Sequence, residues 1–429
     1  MKRTMIKSLN EHVNQTVKIS GWVHRIRKLK AVVFVILRDR TGLIQVAMSP
    51  QVVEEADLRL EAVVSVTGTV VENQNKLGPI ELQATAIEVL SKVSEDLPIQ
   101  INGQTLEAGL ETILNHRVLA LRHQMEQATF KIQAALCEGF ANFLRANEFT
   151  EIHTPKLVKE GAEGGAGVFS LDYFGQTAYL AQSPQFYKQM MVVAGMERVF
   201  EIGSVFRAES HSTSRHLNEY VSMDLEMGFI TSEGDLMDLE TQLLSSMLEH
   251  VRKTCEGELE LLEVALPDVP ESIPRMKLSQ AIEILKDHYG KTELEGDLDP
   301  EGEKLIAAHV KELTGSDFLF LTHYPRTKRP MYTKACGESE THSFDLLFKG
   351  LEITTGGLRI HEEEALSASM RYKGLESENY ASYLETFRYG APPHGGLAIG
   401  LERITAQLLG YKNIRRATLF PRDNTRLTP

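Results

Sequence analysis

Between Phe206 and Met227 the chain places Arg207, Glu209, Arg215, His216, Glu219, Asp224 and Glu226 among apolar residues that recur at every second position, Val221, Met223 and Leu225 among them. A period of two belongs to a β-strand, in which successive side chains point to opposite faces. The segment is therefore confined to a sheet with one packed and one charged face. Arginine grips phosphate bidentately, and interleaved acids hold amines, hydroxyls or a metal. A nucleotide held on a sheet is the favoured reading. The alternative is a surface hairpin whose charges pair across strands.

At 429 residues the chain exceeds what one core organises, so two or more domains are expected, and 42% hydrophobic residues supply a large core. No apolar run approaches the roughly 18 residues needed to cross a bilayer, and the start, Met1 to Ile6, lacks a signal-peptide pattern. A soluble, cytoplasmic protein with no membrane partner is expected. Cys137, Cys255 and Cys336 are widely separated and form no C-x-x-C pair, which excludes a disulfide framework and a cysteine zinc site. The net charge of −13 does not exclude a nucleic acid, because binding follows the local field. Seven Lys or Arg residues lie between Lys18 and Arg40 against the single acid Asp39.

Five short β segments fall between residues 17 and 90, broken by glycines and by the turn Asp39 to Gly42, and suit a small barrel of the oligonucleotide-binding type. The expected organisation is a barrel over 1–97, a hinge over 98–125 and a larger domain over 126–429, with an acidic helical insertion at about 255–316. Ile132, Leu136, Phe140, Phe143 and Leu144 mark one face of a long helix ending near Asn147. Glu151 to Leu157 reads as a strand interrupted by Pro155, and the stretch from Gly395 as a glycine-rich turn followed by a helix.

The order F-R-A-E, a polar loop, R-H-L-N-E and then D-x-E, over Phe206 to Glu226, resembles the second signature motif of class II aminoacyl-tRNA synthetases of the aspartyl, asparaginyl and lysyl subgroup. Within that subgroup it is most similar to aspartyl-tRNA synthetases. The helix, strand and proline before Leu157 resemble the first motif, which in the family builds a homodimer interface. Gly400-Leu401-Glu402-Arg403 resembles the third. The length leaves no room for the insertion domain of typical bacterial aspartyl enzymes, which makes the chain archaeal-like or eukaryotic-like in type. The resemblance implies an α+β protein, with a five-stranded OB-fold barrel for the anticodon and a catalytic antiparallel sheet flanked by helices. It implies joining of L-aspartate to AMP from ATP, then transfer to tRNA.

By the same resemblance Arg207 would hold the α-phosphate and the amino-acid carboxylate, Glu209 the adenine side, and Arg215 and His216 the outer phosphates. Tyr220 would stack beneath adenine and Arg403 would cover its other face. Ala208, Leu217, Glu352, Gly400, Leu401 and Glu402 complete the expected ATP set, and Arg207, Glu209 and Arg403 the catalytic one. The family has glycine where this chain has Ala398. Asp345 and Glu352, with Thr355, match magnesium-binding positions, two hard oxygen ligands suiting Mg²⁺; spacing alone also fits a solvated pair on a hairpin. For aspartate the resemblance implies Lys188 and Arg359 on the side chain, Glu163, Gln185 and Asp224 on the ammonium, and Arg207 and Thr355 beside them. Facing an amide, two such cations would remain partly unpaired, and polar pairing of this kind discriminates by roughly 10⁴-fold.

In the barrel, Arg27, Phe34 and Gln45 match the family's anticodon-reading spacing; core packing is the other reading of Phe34. His24 and Pro79 resemble residues of non-discriminating enzymes, which charge tRNA(Asn) as well as tRNA(Asp). Two rival functions stay open at this level: an asparaginyl enzyme, against which Lys188 argues, and a non-catalytic RNA-binding paralogue. Gly290-Lys291-Thr292 only mimics a P-loop, since Leu285 stands where its first glycine is required.

Overall fold

The protein is described by a computed structural model covering residues 1–162, 167–210 and 213–429. It divides into two compact units, Met1–Gly109 and Leu110–Pro429. The first is a closed barrel of β1 (Thr16–Lys28), β2 (Val33–Asp39), β3 (Gly42–Met48), β4 (Val63–Asn75) and β5 (Gly78–Ser91), in the order β1-β2-β3-β5-β4. Val33, Val35 and Leu37 alternate into its core, as do Ile44, Val46 and Met48, leaving Phe34 and Gln45 on the outer face. All five expected strands form.

The second unit is built on an eight-stranded sheet. Its strands are β6 (Thr150–Glu151), β7 (Arg198–Phe206), β8 (Glu219–Gly228), β9 (Arg275–Lys277), β10 (Phe318–Thr322), β11 (Ser343–Phe348), β12 (Leu351–Leu358) and β13 (His394–Gly400). They lie in the order β9-β10-β11-β12-β13-β8-β7-β6. The six central strands are antiparallel as expected, but each edge strand, β6 and β9, joins in parallel. Helices α1 (Gln124–Ala146), α3 (Glu233–Thr254) and α6 (Leu401–Leu408) bury their apolar stripes against Met223, Leu225, Phe344, Leu346, Leu397 and Ile399. Helices α4 (Leu278–Tyr289) and α5 (Pro300–Thr314), from the expected insertion, pack on Leu319, Leu321 and Leu347, the opposite face. Helix α2 (Gln185–Met191) is short and runs into a π-helical turn.

Two local expectations are corrected. Glu151 to Leu157 is not one broken strand: Thr150–Glu151 pairs with β7, while Leu157–Val158 pairs with Gln176–Leu180 in a separate three-stranded sheet. Pro155 lies between them, where the chain changes sheets and no ladder donor is needed. The glycines from Gly395 do not form a turn; they lie within β13, at the centre of the sheet. A Cβ on Gly396 would stand 2.1 Å from Glu226 Oε2, so the neighbouring carboxylate occupies that side-chain space.

Candidate active site

The period-two pattern of β8 builds the site. Met223, Leu225 and Met227 enter the core, while Tyr220, Ser222 and Asp224 line a cavity of about 630 Å³. Glu352 and Thr355 of β12, Ala398 and Gly400 of β13 and Arg403 of α6 complete that side. A β-bulge at Ile353 makes this possible: residues three apart would ordinarily face opposite ways, and the extra residue turns Glu352 and Thr355 to the same side.

One wall is fully buried. Lys188 Nζ lies 3.0 Å from Asp224 Oδ1 and 3.3 Å from Glu226 Oε2, and Arg359 Nε lies 3.0 Å from Glu226 Oε1. Arg359 also donates to Gly396 O at 3.0 Å, and Ser222 donates to Asp224 Oδ2. None of the four charged residues is more than 5% exposed. Burial opposes ionisation of Glu226, but Arg359 and Lys188 outweigh it and hold the carboxyl below its usual range. The two cations are already partnered: Asp224 and Glu226, two apart on one strand face, hold them.

The second wall comes from the β7–β8 connection and α6. The Arg207 guanidinium lies 5.7 Å from the centre of the Tyr220 ring, and Asn218 donates to the carbonyls of Arg207 and Glu209, fixing the chain on both sides of Ala208. Arg215 pairs with Glu303 of α5 at 2.9 Å, and His216 Nδ1 meets Thr213 Oγ1 at 2.7 Å. Burial, aided by the Arg403 charge, lowers the His216 pKa. Arg403 Nη1 lies 3.2 Å from Glu352 Oε1 and donates to the Glu352 carbonyl at 3.0 Å. The β8–β13 ladder ends at Ser222 and Gly400, and beyond it both oxygens of Glu402 accept from Val221 N–H at 3.1 Å. Burial pushes the Glu402 carboxyl up to about 7.

Asp345 sits opposite Thr355 in the β11–β12 pair. Burial pushes its carboxyl up to about 6; Arg329 opposes and the Glu352 charge adds to the rise. Arg329 donates to Asp345 Oδ1 at 2.7 Å and to Ser343 Oγ at 3.1 Å, and its guanidinium lies over the Tyr324 ring at 3.8 Å. Thr355 donates to Glu352 Oε1 at 3.0 Å. Burial opposes ionisation of Glu352, yet Arg403 and Arg329 outweigh it and hold its pKa low. Two carboxylates that disfavour each other's charge, beside a hydroxyl, form a hard-oxygen donor set that fits a small divalent cation. Among the described residues no group of three or more His, Cys, Asp or Glu side chains is arranged to hold a metal.

Of the residues expected from the sequence, Gln185, Lys188, Arg207, Glu209, Arg215, His216, Leu217, Tyr220, Asp224, Glu352, Thr355, Arg359, Gly400, Glu402 and Arg403 converge on this one cavity. Ala208, Asp345 and Leu401 are not among its lining residues: Asp345 pairs with Arg329, and Leu401 enters the core. Glu163 lies outside the described residues. Arg329, Ser222 and Tyr332 line the cavity without having been singled out, and Glu226 underlies it. The D-x-E spacing carried a signal for Glu226. Arg329, in the run Arg326-Thr327-Lys328-Arg329, reads in sequence like any solvated basic loop.

In the barrel, Phe34 pairs directly with Arg27 and with Ala47, next but one to Gln45, so the three share one outer face. Gln45 donates to Glu81. His24 falls at a register shift in the β1–β2 pair, its Nδ1 3.1 Å from Arg38 Nη1, and Arg38 in turn forms a buried pair with Glu61. Pro79 is exposed near the start of β5.

The family model for class II tRNA synthetases (D, K and N) matches residues 109–424, and that for the OB-fold nucleic acid binding domain matches residues 17–90. The chain is 48% identical to the aspartate–tRNA(Asp/Asn) ligase of Thermus thermophilus, over 100% of both chains. It is 47% identical to the aspartate–tRNA(Asp/Asn) ligase of Deinococcus radiodurans, over 100% of this chain and 99% of the relative. A crystal structure of asparaginyl-tRNA synthetase from Pyrococcus horikoshii with asparaginyl-adenylate superposes with a TM-score of 0.91 at 29% identity, covering 100% of both chains.

Proposed function

The chain belongs to the class II tRNA synthetases of the D, K and N family, and from that premise we propose that it ligates L-aspartate to tRNA through an aspartyl-adenylate. The observation that carries the amino acid is the buried wall of Lys188, Arg359, Asp224 and Glu226. Lys188 and Arg359 stay shared with Asp224 and Glu226, and the side-chain carboxylate of aspartate would accept from these cations where the amide of asparagine would bring an NH₂ group to them, a mismatch that sites built on polar pairing reject.

Arg207 holds the reacting carboxylate against the α-phosphate and balances the charge gathered there, while Arg215 and His216 hold the outer phosphates. Adenine lies between Tyr220 and Arg403, with Glu209 at its edge. The aspartate carboxylate displaces pyrophosphate; the 3′-terminal hydroxyl of tRNA then displaces AMP. No protein nucleophile is required, so positioning and electrostatics carry the rate. Members of the class use a divalent metal, and Asp345, Glu352 and Thr355 are the donors that would hold Mg²⁺, which when bound would supply positive charge against the phosphates.

The face of Arg27, Phe34 and Gln45 reads the anticodon by stacking and base-edge hydrogen bonds. His24 and Pro79 support a non-discriminating enzyme that charges both tRNA(Asp) and tRNA(Asn), in keeping with the names of the two relatives. The same reading makes the protein a cytoplasmic homodimer, joined through α1 and the strand that follows it. Among the described residues no helix is long and apolar enough to cross a membrane. Aspartylation of tRNA(Asp) and tRNA(Asn) side by side tests the proposal: both should be charged. Charging of tRNA(Asp) alone would overturn the non-discriminating reading, and charging of neither would overturn the function.

A further inference from the structure

Gln185 can meet a substrate ammonium in two ways: its oxygen would accept a hydrogen bond, while its NH₂ group would repel the charge. Which atom faces the cavity is decided by a chain of hydrogen bonds behind it. His394, 1% exposed, lies with Nδ1 2.8 Å from Pro392 O. A carbonyl can only accept, so the neutral ring carries its proton on Nδ1, and Nε2 must accept. Its partner at 2.8 Å is Gln189 Nε2, which donates. Gln189 Oε1 is thereby turned the other way, where it accepts from Tyr383 Oη at 2.8 Å and from Gln185 Nε2 at 3.0 Å. With its nitrogen engaged at the back, Gln185 is left with its oxygen for the cavity it lines.

We propose that His394, acting through Gln189, is a positioning residue that holds the Gln185 carbonyl towards the cavity as an acceptor for the ammonium of the substrate. The proposal rests on the reading of the enzyme as an aspartate ligase. A second proton on His394 would make Nε2 a donor. Gln189 would have to turn its oxygen to the ring and its NH₂ to Gln185, and Gln185 would then present NH₂ to the ammonium. Burial lowers the His394 pKa; the Glu226 carboxylate favours protonation, and Arg359 and His361 oppose it. Phe387 stands beside the imidazole in an offset arrangement, with ring centres 6.3 Å apart and planes inclined by 25°. The neutral ring is thus the resting form, and acid reverses the relay.

The test is aspartate-dependent pyrophosphate exchange between about pH 5 and 8, the range in which imidazoles titrate. The KM for aspartate should rise roughly tenfold or more as the pH falls below the ordinary imidazole value, the loss expected for a hydrogen bond to a charged group. The KM for ATP is read separately, because the Asp345 carboxyl, pushed up to about 6, titrates in the same range. Inhibition by succinate, which keeps both carboxylates and lacks the ammonium, should not follow the aspartate KM. In Gln189→Glu the carboxylate would hold His394 as the imidazolium and accept from its Nε2–H and from Gln185 alike across the range, so the pH dependence of the aspartate KM should vanish. Gln189→Met should give a high KM at every pH. A flat KM in the unaltered enzyme, a parallel shift in succinate inhibition or a retained slope in Gln189→Glu would each overturn the relay. Absence of exchange with aspartate at any pH would instead overturn the functional reading beneath it.

Discussion

The two walls of the cavity are made of the same chemistry and differ in what holds it. On the buried wall, Lys188 and Arg359 meet Asp224 and Glu226 on strands and a short helix, shut away from water. On the other, Arg215 and Arg403 meet Glu303 and Glu352 from a connection and a helix start, and side chains there are up to 30% exposed. A charge pair in the interior is costly to break, because the survivor keeps its desolvation penalty; a pair at the rim can be replaced by water. In the proposed reading the first wall recognises an amino acid whose charge pattern must be matched, and the second holds a nucleotide that must come and go.

The strongest way to break this contrast is Arg359→Leu. It leaves Glu226 facing Lys188 alone in a wall with no access to water, and loss of one partner of a buried pair costs about 3–5 kcal/mol. Urea unfolding should show that loss, and kcat/KM for aspartate should fall by at least about 10³-fold while ATP binding is retained. A variant that kept its stability would mean that water reaches Glu226, and the distinction between the walls would fail.

A carboxyl with no counter-ion sharpens the point. Glu240, on α3 beneath β12, is 0% exposed and meets no cation among the described residues; the Thr354 hydroxyl beside it favours ionisation too weakly to offset burial. Burial pushes it up to about 8, where Glu226, equally buried but paired, is lowered. Between pH 4.5, its ordinary value, and about 8 the folded state therefore binds more protons than the unfolded state, and stability falls as pH rises. The fall due to this group should be on the order of 3 kcal/mol between about pH 6 and 8. Glu240→Gln should remove it, which urea titrations at the two pH values would detect as converging midpoints.

The barrel was legible because alternation alone describes a strand with one buried face: Val33, Val35 and Leu37 inward, Phe34 outward. The cavity was legible where chemistry clustered in sequence, from Arg207 to Asp224, and less so where the fold assembles it. Gly395 and Gly396 look like a turn, because nothing in the chain reveals that Glu226, 170 positions away, occupies the space beside Gly396. Arg329 was missed because its role depends on β10 and β11 placing Tyr324 and Asp345 around it. The joint facing of Glu352 and Thr355 depends on a bulge that period counting does not foresee.

The barrel supplies a third environment, an outer face on which the proposed reading places the anticodon and where the buried Glu81 is met by the neutral Gln45. Phe34 stands on the outer surface beside Arg27, so its removal costs no core packing. Phe34→Ala should weaken tRNA binding by about 1–3 kcal/mol, the worth of one stacked base, and raise the KM for tRNA accordingly. Pyrophosphate exchange should not change, because that reaction needs no tRNA. A parallel loss in both assays would show that Phe34 supports the barrel and not the ligand.

The smallest effect is expected from the bond that most resembles the one at Arg359. Arg215 meets Glu303 at 2.9 Å, against 3.0 Å for Arg359 and Glu226, so distance does not separate them. The Arg215 side chain is 19% exposed and Glu303 11%, and burial raises the Glu303 pKa even with Arg215 present. Glu303 can therefore take up a proton or water when its partner leaves, a course closed to Glu226. Arg215→Ala should cost no more than about 1 kcal/mol of stability, with its main effect a severalfold rise in the KM for ATP and little change in the KM for aspartate. A loss of stability matching that of Arg359→Leu would show that the second wall is as closed as the first, and that burial is not what divides recognition of the amino acid from exchange of the nucleotide.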